Sequence, residues 1–339
     1  MVNAKGYLSA NFTKSFLLTF LPFFMIISLV YLVRISALTA KIKLSLVELL
    51  TLYSYSIPDI IFYTLPLSFI AALTTVLMHM SHDNELIALY ALGLRSEKIL
   101  RSFFLISLLF SILLLVISLF AMPMTKQLYK SFKQEKRSEA KLNIVPGKLG
   151  QKFGDYYVYI RQKEQNRFHD LVIYNRTDRN NEQFFASKHG ELKHTNGHIS
   201  LLLEDGYGYT YAKGQLQQAQ YKTLEAFDTT KKRAYHFNDT LAYWMQASEN
   251  KRLMHTLIFF IFVSLIPLLS VYLVAAFSMI NPRYQAAHTF LVIFSVTILL
   301  YILASILKKF GTLPLLGGAI MIVLGGGIWL FRQRVARYF

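Results

Sequence analysis

The sequence predicts an α-helical membrane protein with six transmembrane helices and one inserted β-rich domain. Three features carry that prediction. The 339 residues are 54% hydrophobic and only 16% charged, whereas soluble domains run nearer a quarter charged. Six stretches are apolar over roughly the 20 residues that cross about 30 Å of hydrocarbon. Between the third and the fourth, the pattern changes to short alternating runs of aromatic and β-branched residues, which read as strands.

The spans are Phe16–Val33, Ile57–Met80, Ile99–Met122, Leu253–Ile280, Ala286–Leu307 and Leu313–Phe331. Arg34 and Ile35 follow the first run where a signal peptide would have small residues, so it reads as a retained span. Pro267 falls inside the fourth, where neighbouring helices can satisfy the carbonyl it frees. Gly317, Gly318, Gly325, Gly326 and Gly327 in the sixth either allow close helix packing or reflect the glycine content usual in membrane helices. Lys5, Lys14, Arg95, Lys98, Arg101, Arg283, Arg332, Arg334 and Arg337 lie on one face. Arg34, Lys41, Lys43, Lys308 and Lys309 lie on the other. The more basic face is expected to be cytoplasmic, which puts both termini there and the insert on the far side.

The chain therefore divides into residues 1–122 with three spans and a cytoplasmic helix at 83–93, the β-domain at 123–252, and three more spans at 253–339. The insert opens with a polar helical stretch, Lys126–Lys141, ended by Pro146 and Gly147. Tyr157, Tyr159 and Arg161 then alternate with Val158 and Ile160, and His169–Tyr174, Gln183–Ser187, Ile199–Leu203 and Tyr207–Tyr211 follow. Asn196-Gly197 and Asp205-Gly206 read as hairpin turns, since both dipeptides favour positive φ. Strands so short and so spaced suggest a sandwich or roll. No proline falls between Gly147 and Ile266, so proline blunts no strand edge there.

Absent motifs narrow the function. There is no cysteine, which excludes thiolate chemistry and disulfides. No GxxxxGK[ST] is present, and Gly147-Lys148-Leu149-Gly150 lacks its spacing, so the chain is not expected to hydrolyse ATP. GxSxG and HExxH are missing too. His79 and His82 read as interfacial histidines, and no metal or cofactor is expected. Asp155, His169 and Asp170 are the only hints of an enzyme site, and they are scattered. Span centres carry no carboxylate, which argues against ion coupling; Asp59 is the nearest, at a span start behind Pro58. A formal charge of +17 in so apolar a chain points to a lipid-like anion as partner and away from nucleic acid. The basic run Lys231-Lys232-Arg233 reads as a solvated face.

The loop between spans two and three is the most informative segment. Asp83 or Asn84 suits an N-cap, and Glu85 sits in the first turn, where the helix dipole favours it. Leu86, Leu89 and Tyr90 share a face, Gly93 is a C-cap, and Arg95 follows. This short amphipathic helix either docks on a cytoplasmic partner or lies flat on lipid.

The run from Glu85 to Gly93 resembles the coupling helix of the lipopolysaccharide-export permeases, the LptF/LptG family. The six-span order with an insert after span three is similar to that family's plan. Pro146-Gly147-Lys148 followed by Tyr157-Val158-Tyr159-Ile160 resembles the start of its periplasmic β-jellyroll, and Gly190-Glu191-Leu192, Asn196-Gly197, Ile199–Leu203 and Gly206 resemble a later hairpin. Leu32-Val33-Arg34-Ile35 and Asn281-Pro282-Arg283 look more like the LptF branch than the LptG branch.

The resemblance implies an inner-membrane permease subunit of an ATP-driven exporter. A second LptF/LptG-type permease would complete a cavity for lipopolysaccharide, and an LptB-type ATPase dimer would drive it. LptC-type and LptA-type periplasmic bridge proteins would take the glycolipid onward. Asp83, Glu85, Leu86, Leu89, Tyr90, Gly93 and Arg95 would couple to the ATPase. Arg34, Lys41 and Lys43 would meet lipid A phosphates, or else simply snorkel, while Phe62, Phe69 and Phe290 would line the cavity. Inward residues such as Val158, Ile160, Val172 and Leu202 would line an acyl groove or form an ordinary core. A membrane enzyme modifying an envelope lipid and an envelope scaffold remain the competing readings.

Overall fold

The computed structural model describes residues 4–39, 44–142, 145–153, 156–164, 167–178, 181–195, 198–212, 214–227, 239–279 and 288–337. Lys41, Lys43, Asp155, the Asn196-Gly197 dipeptide, Lys231-Lys232-Arg233 and Asn281-Pro282-Arg283 lie outside the described residues. The chain forms two compact units, Met1–Lys130 with Phe237–Phe339, and Ser131–His236.

In hydrocarbon a backbone must satisfy its own hydrogen bonds, so each apolar stretch folds as a helix. The first unit contains α1 (Ala4–Thr39), α2 (Leu46–Ser54), α3 (Ile57–His82), α4 (Glu85–Ala91) and α5 (Ser96–Val116). A π-helical turn, Ile117–Ala121, carries α5 on into α6 (Met122–Leu142). After the β unit come α7 (Thr240–Met245), α8 (Lys251–Ser278), α9 (Thr289–Phe310) and α10 (Leu313–Phe331). Six of these segments are long and apolar enough to cross a membrane, as the sequence predicts. The 36 residues of α1 make a rod of about 54 Å, longer than the hydrocarbon is thick.

The spans are not equivalent. Of the most apolar 18 residues in each, 78% are buried in α3 and 72% in α8, against 6% in α1 and 22% in α10. So α3 and α8 form the centre and the rest surround them. Buried hydroxyls join helices where lipid supplies no hydrophobic drive. Ser81 donates to the Ser278 carbonyl at 2.8 Å, and the Ser118 and Ser264 hydroxyls meet at 3.1 Å. Next to Pro267, the Leu268 N–H donates to Ser111 Oγ on α5 at 3.3 Å. The π-turn exposes a carbonyl at Leu119, and Trp244 of α7 donates its indole N–H to it at 2.8 Å. Among the α10 glycines only Gly327 faces a close neighbour, the Tyr272 and Leu273 backbone region of α8; Gly317, Gly318, Gly325 and Gly326 face open space.

One helix is absent from the sequence reading. Ser45 and Glu48 make a capping box that starts α2: Ser45 N–H donates to Glu48 Oε2 at 2.8 Å, and Glu48 N–H donates to Ser45 Oγ at 3.3 Å. The Ser-x-x-Glu spacing was the available signal.

The second unit is a six-stranded antiparallel sheet, β1 (Gln151–Phe153), β2 (Tyr156–Glu164), β3 (Arg167–Asp178), β4 (Asn181–Thr195), β5 (His198–Ala212) and β6 (Gln215–Phe227). The strands pair in chain order, with β1 and β6 at the edges. Val158, Ile160, Phe168, Leu171, Ile173, Leu201, Leu203 and Ala226 form its core.

The sheet contains a device that corrects the sequence reading. Ile199–Leu203 and Tyr207–Tyr211 belong to one strand, β5, and Asp205-Gly206 lies in its middle, not at a turn. Asp205 does adopt positive φ, at 52°, and so does Asp170 in β3, at 51°. In the four pairings from β2 to β6 the ladder is interrupted at one aligned row, Arg161, Asp170, Lys188, Asp205 and Lys222. The buried side changes parity across that row: Phe168 precedes Leu171 and Ile173 in β3, and Leu201 and Leu203 precede Gly206 and Gly208 in β5. Each of β2 to β6 thus carries one additional residue at the same level. A one-residue displacement turns every later side chain to the opposite face. That is why Val172 is 41% exposed and Leu202 half-exposed, although alternation assigned both to the interior. The row alternates in charge, and Arg161 pairs with Asp170 at 3.6 Å. Gly206 beside it permits contact between strands: a Cβ there would lie 2.3 Å from the Ala186 carbonyl oxygen.

Left-handed backbone disfavours ordinary L-residues by about 1–2 kcal/mol, and β-branched ones most. Asp170→Val and Asp205→Val should each lower the thermal transition of the β-sheet signal, whereas Asp170→Gly and Asp205→Gly should leave it unchanged or raise it. Equal melting of the Val and Gly variants would remove the positive-φ explanation of the row.

Candidate functional site

The short helix α4 hangs between two spans, three residues after α3 and five before α5 begins. Its C-terminus closes as the sequence suggests. Gly93 is left-handed at φ 79°, its N–H reaches the Tyr90 carbonyl at 2.9 Å, and the Leu94 N–H reaches the Leu89 carbonyl at 3.1 Å. That pair of bonds is a Schellman motif. The N-terminus differs from expectation. Asn84 caps it from a left-handed conformation, with no bond from its side chain. Asp83 turns back to α3, 2.8 Å from His79 Nδ1 and 3.5 Å from His82 Nδ1. The two histidines therefore hold a carboxylate at the end of α3. Among the described residues no group of three His, Cys, Asp or Glu is arranged for a metal ion.

The apolar face assigned to a partner is turned toward the protein instead. Leu86 is 3% exposed, and Leu89 and Tyr90 pack against the same core. Burial pushes the Tyr90 phenol well above its ordinary range, so it stays neutral. What faces outward is Ile87, 38% exposed, and Leu92, 79% exposed, with Ala88 and Ala91 between them. Periodicity finds an apolar stripe on a short helix but does not say which of its apolar residues meets the body.

Glu85 is also not the freely exposed charge expected of a first-turn residue. Its Oε1 accepts a hydrogen bond from Tyr7 of α1 at 2.9 Å. Its Oε2 is buried and has no hydrogen-bond partner among the described residues. Nothing in the sequence linked Tyr7 to Glu85, 78 positions apart. Arg95 is exposed at the start of α5.

The residues expected to meet substrate are not gathered in one place. Arg34 is exposed near the far end of α1. Phe62 and Phe69 have no accessible surface; Phe62 packs on Phe260 at 5.1 Å and Phe69 on Phe12 at 5.2 Å between ring centroids. They are interior residues, and the expectation that they line a cavity is corrected. Phe290 is 74% exposed, but it opens α9 at the α4 end of the bundle, about 27 Å along the helix from Lys308. Lys308 and Lys309 close α9 at the Arg34 end, resting on the rings of Phe259 and Phe310 at 4.9 and 5.0 Å. An open groove of about 520 Å3 runs along α9, lined by Ile298, Tyr301, Ile302, Ser305, Ile306, Lys309 and Phe310. Both α1 and α9 pack on α3.

The residues that hinted at an enzyme have other places. Asp170 belongs to the charged row of the sheet, and His169 lies against His189 across the strand, Nδ1 to Nδ1 at 3.1 Å.

The family profile described as lipopolysaccharide export system permease LptF/LptG matches residues 6–333 of the chain. No curated protein matches it.

Tyr7→Phe removes only the hydroxyl that shields Glu85. Labelling of Glu85 by a water-soluble carbodiimide should rise several-fold in this variant while the helical circular-dichroism signal is unchanged. Equal labelling of the two proteins would show that the bond does not hold the carboxylate.

Proposed function

Because the chain belongs to the LptF/LptG family of lipopolysaccharide export permeases, and is thus an integral inner-membrane protein, we propose that it is one of two permease subunits of an ATP-driven exporter, LptF-like in type. In this reading α4 and both termini are cytoplasmic and the β unit is periplasmic, as the distribution of Lys and Arg between the short loops favours. An LptB-type ATPase dimer engages α4, and a second LptF/LptG-type permease faces α1 and α9. Lipopolysaccharide leaves the outer leaflet between them, passes along the β unit, and is handed to LptC-type and LptA-type bridge proteins.

The observation that carries this reading is the mounting of α4. Leu86 roots the helix in the same core as α3 and α8, so force on α4 is delivered to the centre of the bundle. Its outward residues, Ile87 and Leu92, suit an apolar groove on the ATPase, and Asp83, Glu85, Gly93 and Arg95 hold the helix in place around them. The coupling role given to Leu86, Leu89 and Tyr90 becomes one of anchorage.

At the other end, in this reading, exposed Arg34 meets a headgroup phosphate, which a guanidinium binds bidentately. Lys308 and Lys309 extend that cationic end to α9. The exposed apolar faces of α1 and α9 suit acyl chains, and the open edge strand β6, thirteen residues without proline, offers unpaired backbone for strand addition by a bridge protein.

The test is a pull-down of the tagged full chain from detergent-solubilised membranes, with ATPase activity measured on what accompanies it. A nucleotide-binding subunit and a second six-span protein should co-purify. Leu92→Asp changes an exposed residue, where substitutions usually alter stability by less than about 0.5 kcal/mol, yet it should reduce the recovered ATPase about tenfold or more. A chain recovered alone, with no ATPase, would sink the permease reading.

A further inference from the structure

A carboxylate and an ammonium lie half-buried side by side at the Arg34 end of the bundle. Asp59 lies in the first turn of α3 behind Pro58, and Lys126 lies in the first turns of α6, where the third span ends. Asp59 Oδ1 is 3.7 Å from Lys126 Nζ, and the two side chains keep 21% and 40% of their surface. That distance is too long for a hydrogen bond, and Oδ1 is buried with no hydrogen-bond partner among the described residues. The Lys126 ammonium also sits 4.8 Å from the centroid of the Phe260 ring. Further cations lie within electrostatic range, Arg34 of Asp59 and Lys308 and Lys130 of Lys126, and Lys308 rests on Phe259, whose ring is 6.1 Å from that of Phe260.

Taking charge even partly out of water is costly unless close, hydrogen-bonded geometry offsets it. Here the geometry is loose and one acceptor is left over. The cluster holds an excess of cations around a single carboxylate, at the level where a lipid headgroup meets the bundle. A phosphate monoester carries about −1.5 to −2 charges and three strong acceptor oxygens, so it competes with a carboxylate for the same ammonium. We propose that Asp59 is an internal counter-anion of a phosphate-binding cluster formed by Lys126, Lys308 and Arg34, and that the phosphate of a glycolipid headgroup takes its place beside Lys126. While the site is empty, Asp59 neutralises Lys126. Once phosphate is bound, Asp59 repels it, which keeps the hold weak enough for the lipid to move on. The inference rests on the permease reading for its ligand and adds to it a residue that opposes binding.

The experiment is a titration of the full chain in detergent with a fluorescent diphosphorylated glucosamine-disaccharide lipid, its dephosphorylated counterpart, and inorganic phosphate as competitor. Asp59→Asn should bind the phosphorylated lipid at least about fivefold more tightly, the effect of removing one like charge a few ångströms away in a partly solvated site. Lys126→Gln should weaken binding about tenfold and make Asp59→Asn silent in the double variant. Lys126→Arg, which keeps the cation, should bind as the parent does, separating lost charge from lost fold. The dephosphorylated lipid should respond to none of these changes. Inorganic phosphate that displaces the lipid, more readily in Asp59→Asn, would support the same cluster with free phosphate as its ligand. Equal shifts for both lipids, or unchanged or weaker binding of the phosphorylated lipid in Asp59→Asn, would overturn the counter-anion role. A parent chain that binds neither lipid would instead remove the substrate reading beneath it.

Discussion

The packing of α3 against α8 is the contact on which the membrane unit depends. Lipid tails are as apolar as leucine, so helices gain nothing by hiding apolar surface from them; close packing and interhelical hydrogen bonds must hold the bundle. The buried faces of these two helices supply both. Ser81 bonds to Ser278 between them, and Ser111 and Ser118 fasten α5 onto α8 on either side of Pro267. The proline removes a helix donor within that contact, and a neighbour's hydroxyl takes up an adjacent amide. The helices left at the periphery, α1 and α10 above all, keep exposed apolar faces.

That arrangement gives the bundle two chemically different ends. At one, α4 is rooted through Leu86 in the central core and tied to α1 through the Tyr7–Glu85 bond. At the other, α1 carries Arg34 and α9 carries Lys308, with Asp59 and Lys126 between them in charge. The same helix, α1, therefore meets α4 near its first turn, through Tyr7, and carries Arg34 toward its other end.

The β unit solves a different problem. A long antiparallel meander with strict alternation would keep one face apolar from end to end. The row from Arg161 to Lys222 shifts the pleat by one residue in the strands it crosses, β2 to β6, so within a strand the buried side passes between odd and even positions at the row. Two aspartates in left-handed conformation make the shift possible, because a short polar side chain tolerates positive φ better than most. Alternating charges along the row are solvated, and at such exposure a pair contributes at most about 1 kcal/mol. The row shapes the sheet more than it stabilises it.

Much of this was legible in the sequence. Length of apolar runs alone determined the six spans, because crossing hydrocarbon as a helix has one solution. Gly93 ended α4 and Asp205 required positive φ, since both are local properties of the backbone. The resemblance around Glu85 to Gly93 pointed to the family that the whole-chain match then showed. What sequence could not decide was which apolar residue faces lipid and which faces protein. Leu86 and Leu92, or Phe62 and Phe290, look alike until the neighbours are in place, because in a membrane both surroundings are apolar. It also could not join Tyr7 to Glu85 or Asp59 to Lys126, which only the crossing of distant helices brings together. Nor could it show that Asp205 marks a mid-strand shift: the same φ serves a turn or a bulge, and only the paired strands on either side decide between them.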